Sequence, residues 1–180
     1  MIAADVQYLL GAPSASAGYA NAGSVYNSNG HFCSTTQIDL TVAQNNFFPD
    51  LTGPQNAAMQ VDYQCAFVYN SNTTTTMVSA IAWIPASTVT SASIDWALGL
   101  DPTGATAFTS TSPQAVLISS PYVLPAGIAS WVPPSSTSAG GVLMGNIGPR
   151  SVYPVWIRRS ATGSPGNSQF NLQVTFQVSS

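Results

Sequence analysis

The feature that most constrains this chain is an alternation near its C-terminal end. Phe170, Leu172, Val174, Phe176 and Val178 are apolar, while Gln169, Asn171, Gln173, Thr175 and Gln177 beside them are polar. Successive side chains of a strand point to opposite faces, so this segment is read as a strand with one dry and one wet face. Residues 94–100 repeat the pattern, with Ile94, Trp96, Leu98 and Leu100 set against Ser93, Asp95, Ala97 and Gly99, and stop at the turn formers Asp101, Pro102, Thr103 and Gly104. In residues 59–69, Met59, Val61, Tyr63, Cys65, Phe67 and Tyr69 share a face opposite Gln60, Asp62 and Gln64, which puts Cys65 on the predicted core side. Dry faces of this kind need a second layer to cover them.

Residues 77–84 are apolar on both faces, as expected of a central strand covered on both sides, and Pro85 ends them. Weaker strands are predicted at residues 6–10, 38–42, 115–118, 142–144 and 152–159. Pro154 removes a ladder donor from the last of these, which is therefore expected at an edge or with a bulge. So many short strands between Gly, Pro, Ser and Asn predict an all-β fold, a jelly-roll or immunoglobulin-like β-sandwich with an extended N-terminal arm or long loops. The strand order stays open. The expected division is an N-terminal strand and extended arm over residues 1–35 and a β-sandwich domain over residues 36–180. Residues 11–30 and the proline-rich residues 119–141 are expected to be irregular, either as arms ordered by neighbouring subunits or as plain surface loops.

Composition narrows the function. Only 5% of the 180 residues are charged, where about 25% is usual, and there is no Lys and no Glu. Most of the residues that cover solvent-facing helices are missing, so long helices are not expected. A net charge of −3 leaves little repulsion between copies and favours association. Nucleic acid is not an expected partner, because phosphate binding needs clustered cations and Arg158 and Arg159 are the only adjacent pair. Met1, Ile2, Ala3, Ala4 and Asp5 open neither a basic region nor a long apolar run, so no secretory leader is expected, and the longest apolar stretches, such as residues 77–86, are too short and too interrupted to cross a bilayer. Cys33 and Cys65 allow one disulfide at most, and in a reducing compartment two buried thiols are the expectation.

Signs of chemistry are sparse. His31 is the single histidine and follows the turn signal Asn29-Gly30, so it reads as a loop residue. Asp5, Asp39, Asp50, Asp62, Asp95 and Asp101 are dispersed, without the close spacing of a calcium loop, and Asp50 and Asp101 read as turn formers. The two cysteines lack Cys-x-x-Cys spacing, and no nucleophile elbow or phosphate loop is present. Asn72-Thr73-Thr74 fits the glycosylation pattern, a weak match in a chain this rich in Asn and Thr. The expectation is a protein that is not an enzyme and uses no cofactor or metal. The candidate assembly contacts are Trp131, Trp156, Arg158 and Arg159. Trp131 sits among Val132, Pro133 and Pro134, a plausible apolar contact patch, whereas core packing competes with a surface role for Trp156, as for Trp96. Arg158 and Arg159 should point to opposite faces of their strand, one forking onto an Asp or a carbonyl within the protomer and the other reaching a neighbour or solvent.

Two blocks of sequence carry a resemblance. Residues 34–72, STTQIDLTVAQNNFFPDLTGPQNAAMQVDYQCAFVYNSN, and residues 145–178, GNIGPRSVYPVWIRRSATGSPGNSQFNLQVTFQV, resemble a family of small virion structural proteins of tailed bacteriophages. That family has an N-x-F-x-D-x-(S/T)-G phrase before a Y-x-C-x-x-V-x-N strand, and later a W-(I/V)-R-R strand. The matching positions are Asn46, Phe48, Asp50, Gly53, Tyr63, Cys65, Val68, Asn70, Gly145, Trp156, Arg158 and Arg159. Gln64 and Tyr69 stand where basic residues are expected, and Cys33 is extra. The resemblance implies a virion component made in the host cytoplasm. The function expected first is a capsid decoration or cement protein whose partners are itself, as a dimer or trimer, and the major capsid protein, with tail proteins as further candidates. The alternative is a tail- or fibre-associated module that binds host-surface sugar through Trp131. A third possibility, an enzyme acting on cell-wall polymer, needs paired carboxylates that the sequence does not reveal.

Overall fold

A computed structural model describes residues 5–12, 24, 28–39, 47–164, 166 and 168–179. Their strands are β1 (Val6–Ala12), β2 (Phe32–Gln37), β3 (Val61–Asn70), β4 (Thr76–Trp83), β5 (Ile94–Leu100), β6 (Thr106–Ala107), β7 (Val142–Ile147), β8 (Ser151–Ala161) and β9 (Gln173–Ser179). One short helix, α1 (Gly53–Ala57), is capped by Thr52 and Gln55 in a reciprocal capping box. The domain is all-β and holds two antiparallel sheets. The larger runs β2-β1-β3-β8-β5 with β6 added to β8, and the smaller runs β7-β4-β9.

The apolar layer between the sheets takes Leu10, Ala66, Val68, Leu98, Val155 and Ile157 from the larger sheet and Met77, Ala80, Ala82, Met144 and Ile147 from the smaller. Val174 and Phe176 of β9 are half-buried against the same layer, whereas Val178, placed on the same dry face by the sequence, is exposed. The strand itself begins at Gln173, with Phe170 and Leu172 lying before it and still touching the core.

Several expectations need correction. β8 is an interior strand, paired with β3 on one side and β5 on the other without a register shift. Pro154 is tolerated there because its carbonyl accepts from Asp101 N at 3.4 Å. Its ring nitrogen therefore faces the β5 side, just where β5 has ended and no acceptor is lost. Residues 115–118 form no strand and contribute only a single bridge, Leu117 to Gly30. The strand expected at residues 38–42 lies earlier, as β2; Ile38 and Asp39 are outside it, and residues 40–42 are outside the described residues. The expected boundary after residue 35 falls within β2, and β1 and β2 both belong to the larger sheet. Of the irregular stretch 11–30, Gly11 and Ala12 are in β1, and all but Ser24 and residues 28–30 of the remainder are outside the described residues. β4 is central in its sheet, but only one face is dry: Met77, Ala80 and Ala82 are buried while Val78, Ile81 and Trp83 are half-buried.

The two faces of β3 also differ from the sequence reading. Its polar face, with Asp62 and Gln64, turns toward the inter-sheet layer together with Ala66 and Val68, and both polar residues are buried. Its apolar face, with Cys65, Phe67 and Tyr69, is covered by the long connection between β6 and β7 rather than by a sheet. The larger sheet is thus buried on both sides.

Candidate functional site

The connection that covers β3 is the least regular part of the described chain, and its attachment determines what it presents outward. Asp101 starts the attachment. The turn at the end of β5, completed by Gly104 in a left-handed conformation, buries its carboxylate. Oδ1 accepts from Thr103 N at 2.9 Å, and Oδ2 accepts from Val116 N at 2.9 Å and from Trp156 Nε1 at 2.8 Å. Gln114 is the second anchor: its Oε1 accepts from Cys33 N at 2.9 Å and its Nε2 donates to Ala107 O at 2.8 Å. Backbone bonds continue the seam, from Gln114 N to His31 O at 2.7 Å, Ile118 N to Asn29 O at 3.1 Å and Tyr63 N to Pro121 O at 2.7 Å. Leu98 and Val132 exchange both of their bonds at 2.8 Å, which fastens the far end.

Under this cover Leu9, Cys33, Cys65, Phe67, Ala115, Ile118, Val152 and Trp156 form a second apolar cluster. Both cysteines are free and fully buried, and burial pushes each thiol well above its usual value. Tyr63, partly covered at the margin, is also raised by burial, an effect that the charge of Arg158 opposes.

The four predicted contact residues are not brought together. Trp156 is 0% exposed and lies beneath the connection, so its place is the core, and the expectation of an assembly contact is corrected. Arg159 faces the inter-sheet layer, where Nε and Nη2 donate to Asp62 Oδ2, Nη1 donates to Pro49 O at 2.6 Å, and the guanidinium lies 4.7 Å from the Phe48 ring centre. It takes the inward role expected of one of the two arginines and touches no outer surface patch, so it too is removed from the contacts. Arg158 points the other way. It is half-buried, 5.5 Å from the ring centre of Trp131, and its Nε meets no acceptor among the described residues. Trp131 is half-buried as well, 5.3 Å from Tyr63 and seated over Gly99, where an added Cβ would come within 3.3 Å of the indole. These two remain at the surface, joined to each other. His31 has a left-handed backbone and packs edge-on to Phe32, with ring centres 4.3 Å apart.

The connection also exposes large apolar side chains that the sequence reading did not single out, Leu117 at 49% among them. Tyr122, Val123 and Leu124 are 56%, 44% and 59% exposed, between Pro121 and Pro125. Three consecutive apolar residues bracketed by prolines were the available signal. Met59, just past α1, is exposed too, and Tyr122 Oη lies 3.5 Å from Gln55 Nε2 on α1. Among the described residues no three His, Cys, Asp or Glu side chains gather where they could hold a metal ion, and no helix is long and apolar enough to cross a membrane. No protein-family model, curated protein or solved structure matches the chain.

Proposed function

We propose that this chain is a structural component of a tailed-phage virion, and within that class a capsid decoration or cement protein that stabilises the shell by protein–protein contact. The observation that carries the reading is the apolar tip at residues 122–124, exposed on a connection that hydrogen bonds pin to the sheet on both sides. A pinned apolar surface loses little conformational entropy on docking, and large exposed apolar side chains mark contact sites. The near-absence of charge supports the same reading, since little desolvation opposes burial. The partners are then a second or third copy of the chain and the major capsid protein, across a standard interface of about 1,200 to 2,000 Å².

We read the two sheets as a jelly-roll or immunoglobulin-like β-sandwich, supported by the apolar layer they share. Cryo-electron microscopy of the particle tests the assignment. Hundreds of copies over the shell support it; a few copies at the tail would move the chain to the class of host-surface-binding modules, and absence from the particle would end both readings.

A further inference from the structure

The two sheets are covered unequally. The larger is packed on both faces, by the smaller sheet and by the connection between β6 and β7, whereas among the described residues no second sheet lies over the outer face of the smaller one. Register places Leu143, Ile81 and Thr175 in one row across β7, β4 and β9, with Trp83 beside Gln173 in the next. These side chains share the face opposite the buried Ala80 and Ala82. Ile81, Trp83 and Leu143 belong to neither apolar cluster, and Leu143 is 61% exposed. The face is therefore an apolar patch on β7 and β4, bordered along β9 by Gln173, Thr175 and Gln177, all three exposed.

No residue of β4, β7 or β9 is charged; the three arginines and six aspartates all lie elsewhere. That limits what can cover the patch. A charged partner surface would lose its hydration against a face that offers no counter-charge. The covering surface is therefore neutral, with apolar side chains at its centre and, at its border, groups that both donate and accept. The same face of a second copy meets each requirement. A glutamine amide donates and accepts at once, so a two-fold axis running across the strands lets the β9 row pair with its own counterpart while the apolar patches meet. We infer that this face joins two copies of the chain sheet to sheet in an isologous dimer. Three strands of six to eight residues present a face of roughly 15 by 25 Å, at the low end of specific interfaces, so a reversible dimer in the micromolar range is expected. The inference rests on the self-association in the proposed function, but not on the virion assignment, nor on the tip at residues 122–124, which belongs to the connection on the far side of the larger sheet.

The test is sedimentation of the full chain over a micromolar concentration series, beside Leu143→Asp and a Tyr122→Ser, Leu124→Ser double variant of the tip. A monomer–dimer equilibrium is expected for the parent, unchanged in the tip variant and weakened at least about tenfold by Leu143→Asp, which buries carboxylates between neutral sheets. Leu143 is exposed, so its variant is expected to fold, and the melting temperature of the monomer verifies this. Hydroxyl-radical footprinting of the parent adds a reading that needs no variant: Leu143 and Trp83 should become protected as concentration rises. A parent that stays monomeric overturns the inference and removes self-association from the proposed function as well. A closed trimer, or a dimer that Leu143→Asp leaves intact, overturns the inference alone, and loss of the dimer only in the tip variant moves self-association to the tip. A monomeric parent whose occupancy on particles falls with Leu143→Asp would give the face to a shell protein instead.

Discussion

The indole Nε1 of Trp156 donates to Asp101 Oδ2 at 2.8 Å, joining the middle of β8 to the turn that ends β5. Because the same oxygen accepts from Val116 N, one buried carboxylate fixes both the core tryptophan and the connection that covers it. Replacing Trp156 with Phe keeps much of the ring but leaves the acceptor short of a donor. The expected loss is about 1 to 3 kcal/mol, read as a lower urea midpoint at unchanged slope.

The ion pair between Asp62 and Arg159 is buried between the sheets, where truncating one partner strands a charge. Arg159→Ala and Asp62→Ala are each expected to cost about 3 to 5 kcal/mol, whereas a paired replacement by Met and Leu should come within about 1 to 2 kcal/mol of the parent. Denaturant titration of the two single variants and the double variant measures this.

Gly99 lets Trp131 and Ile128 sit directly on β5. A Cβ there would come within 2.5 Å of Ile128 Cγ2 and 3.3 Å of the indole. Gly99→Ala should cost about 1 to 3 kcal/mol and loosen the cover, so that limited proteolysis cuts within residues 119–131 faster than in the parent.

Alkaline pH should destabilise the protein through the partly buried phenol of Tyr8. Burial pushes Tyr8 up to about 12 from an ordinary value near 10, against a backbone contact with Val174 that lowers it. A pKa raised by folding contributes stability that is intact below about 10 and is lost as pH rises toward about 12, at most about 2 to 3 kcal/mol. The buried thiols of Cys33 and Cys65 are shifted in the same direction and add to the effect. Tyrosinate absorbance followed alongside the unfolding midpoint across that window checks the sign. The same burial makes both thiols unreactive toward a disulfide reagent until the chain is denatured.

The fold was legible where burial follows a simple period. Ile94, Trp96 and Leu98 of β5, and Val174 and Phe176 of β9, face the inter-sheet layer as their alternation predicted. β3 was legible as a strand and misleading as a surface. Asp62 reads as a wet-face residue, but Arg159 lies directly opposite it in the ladder, and a pairing between residues this far apart is invisible to local pattern. Phe32–Gln37 was missed because Ser34, Thr35, Thr36 and Gln37 give no apolar alternation; the strand is held by its pairing with β1 and by Ser34 Oγ, which donates to Leu10 O at 2.7 Å. For the candidate site, the sequence places Trp131 in a loop and Arg158 and Arg159 on opposite faces of one strand, but which arginine turns outward, and its union with Trp131, depend on Gly99 and the course of the connection. The tip at residues 122–124 is hard to read from sequence because three apolar residues in a proline-rich loop carry no periodicity that tells exposure from burial.

The proposed function rests on the docking of an uncharged apolar tip. Its most direct measurement is the occupancy of particles reconstituted with the parent chain and with a Tyr122→Ser, Leu124→Ser double variant, at low and at moderate salt. The parent should bind near saturation at both, because few charges take part, and the variant should bind at least about tenfold more weakly while keeping the parent melting temperature. Equal occupancy of the two proteins, or release of the parent by moderate salt alone, would contradict the account.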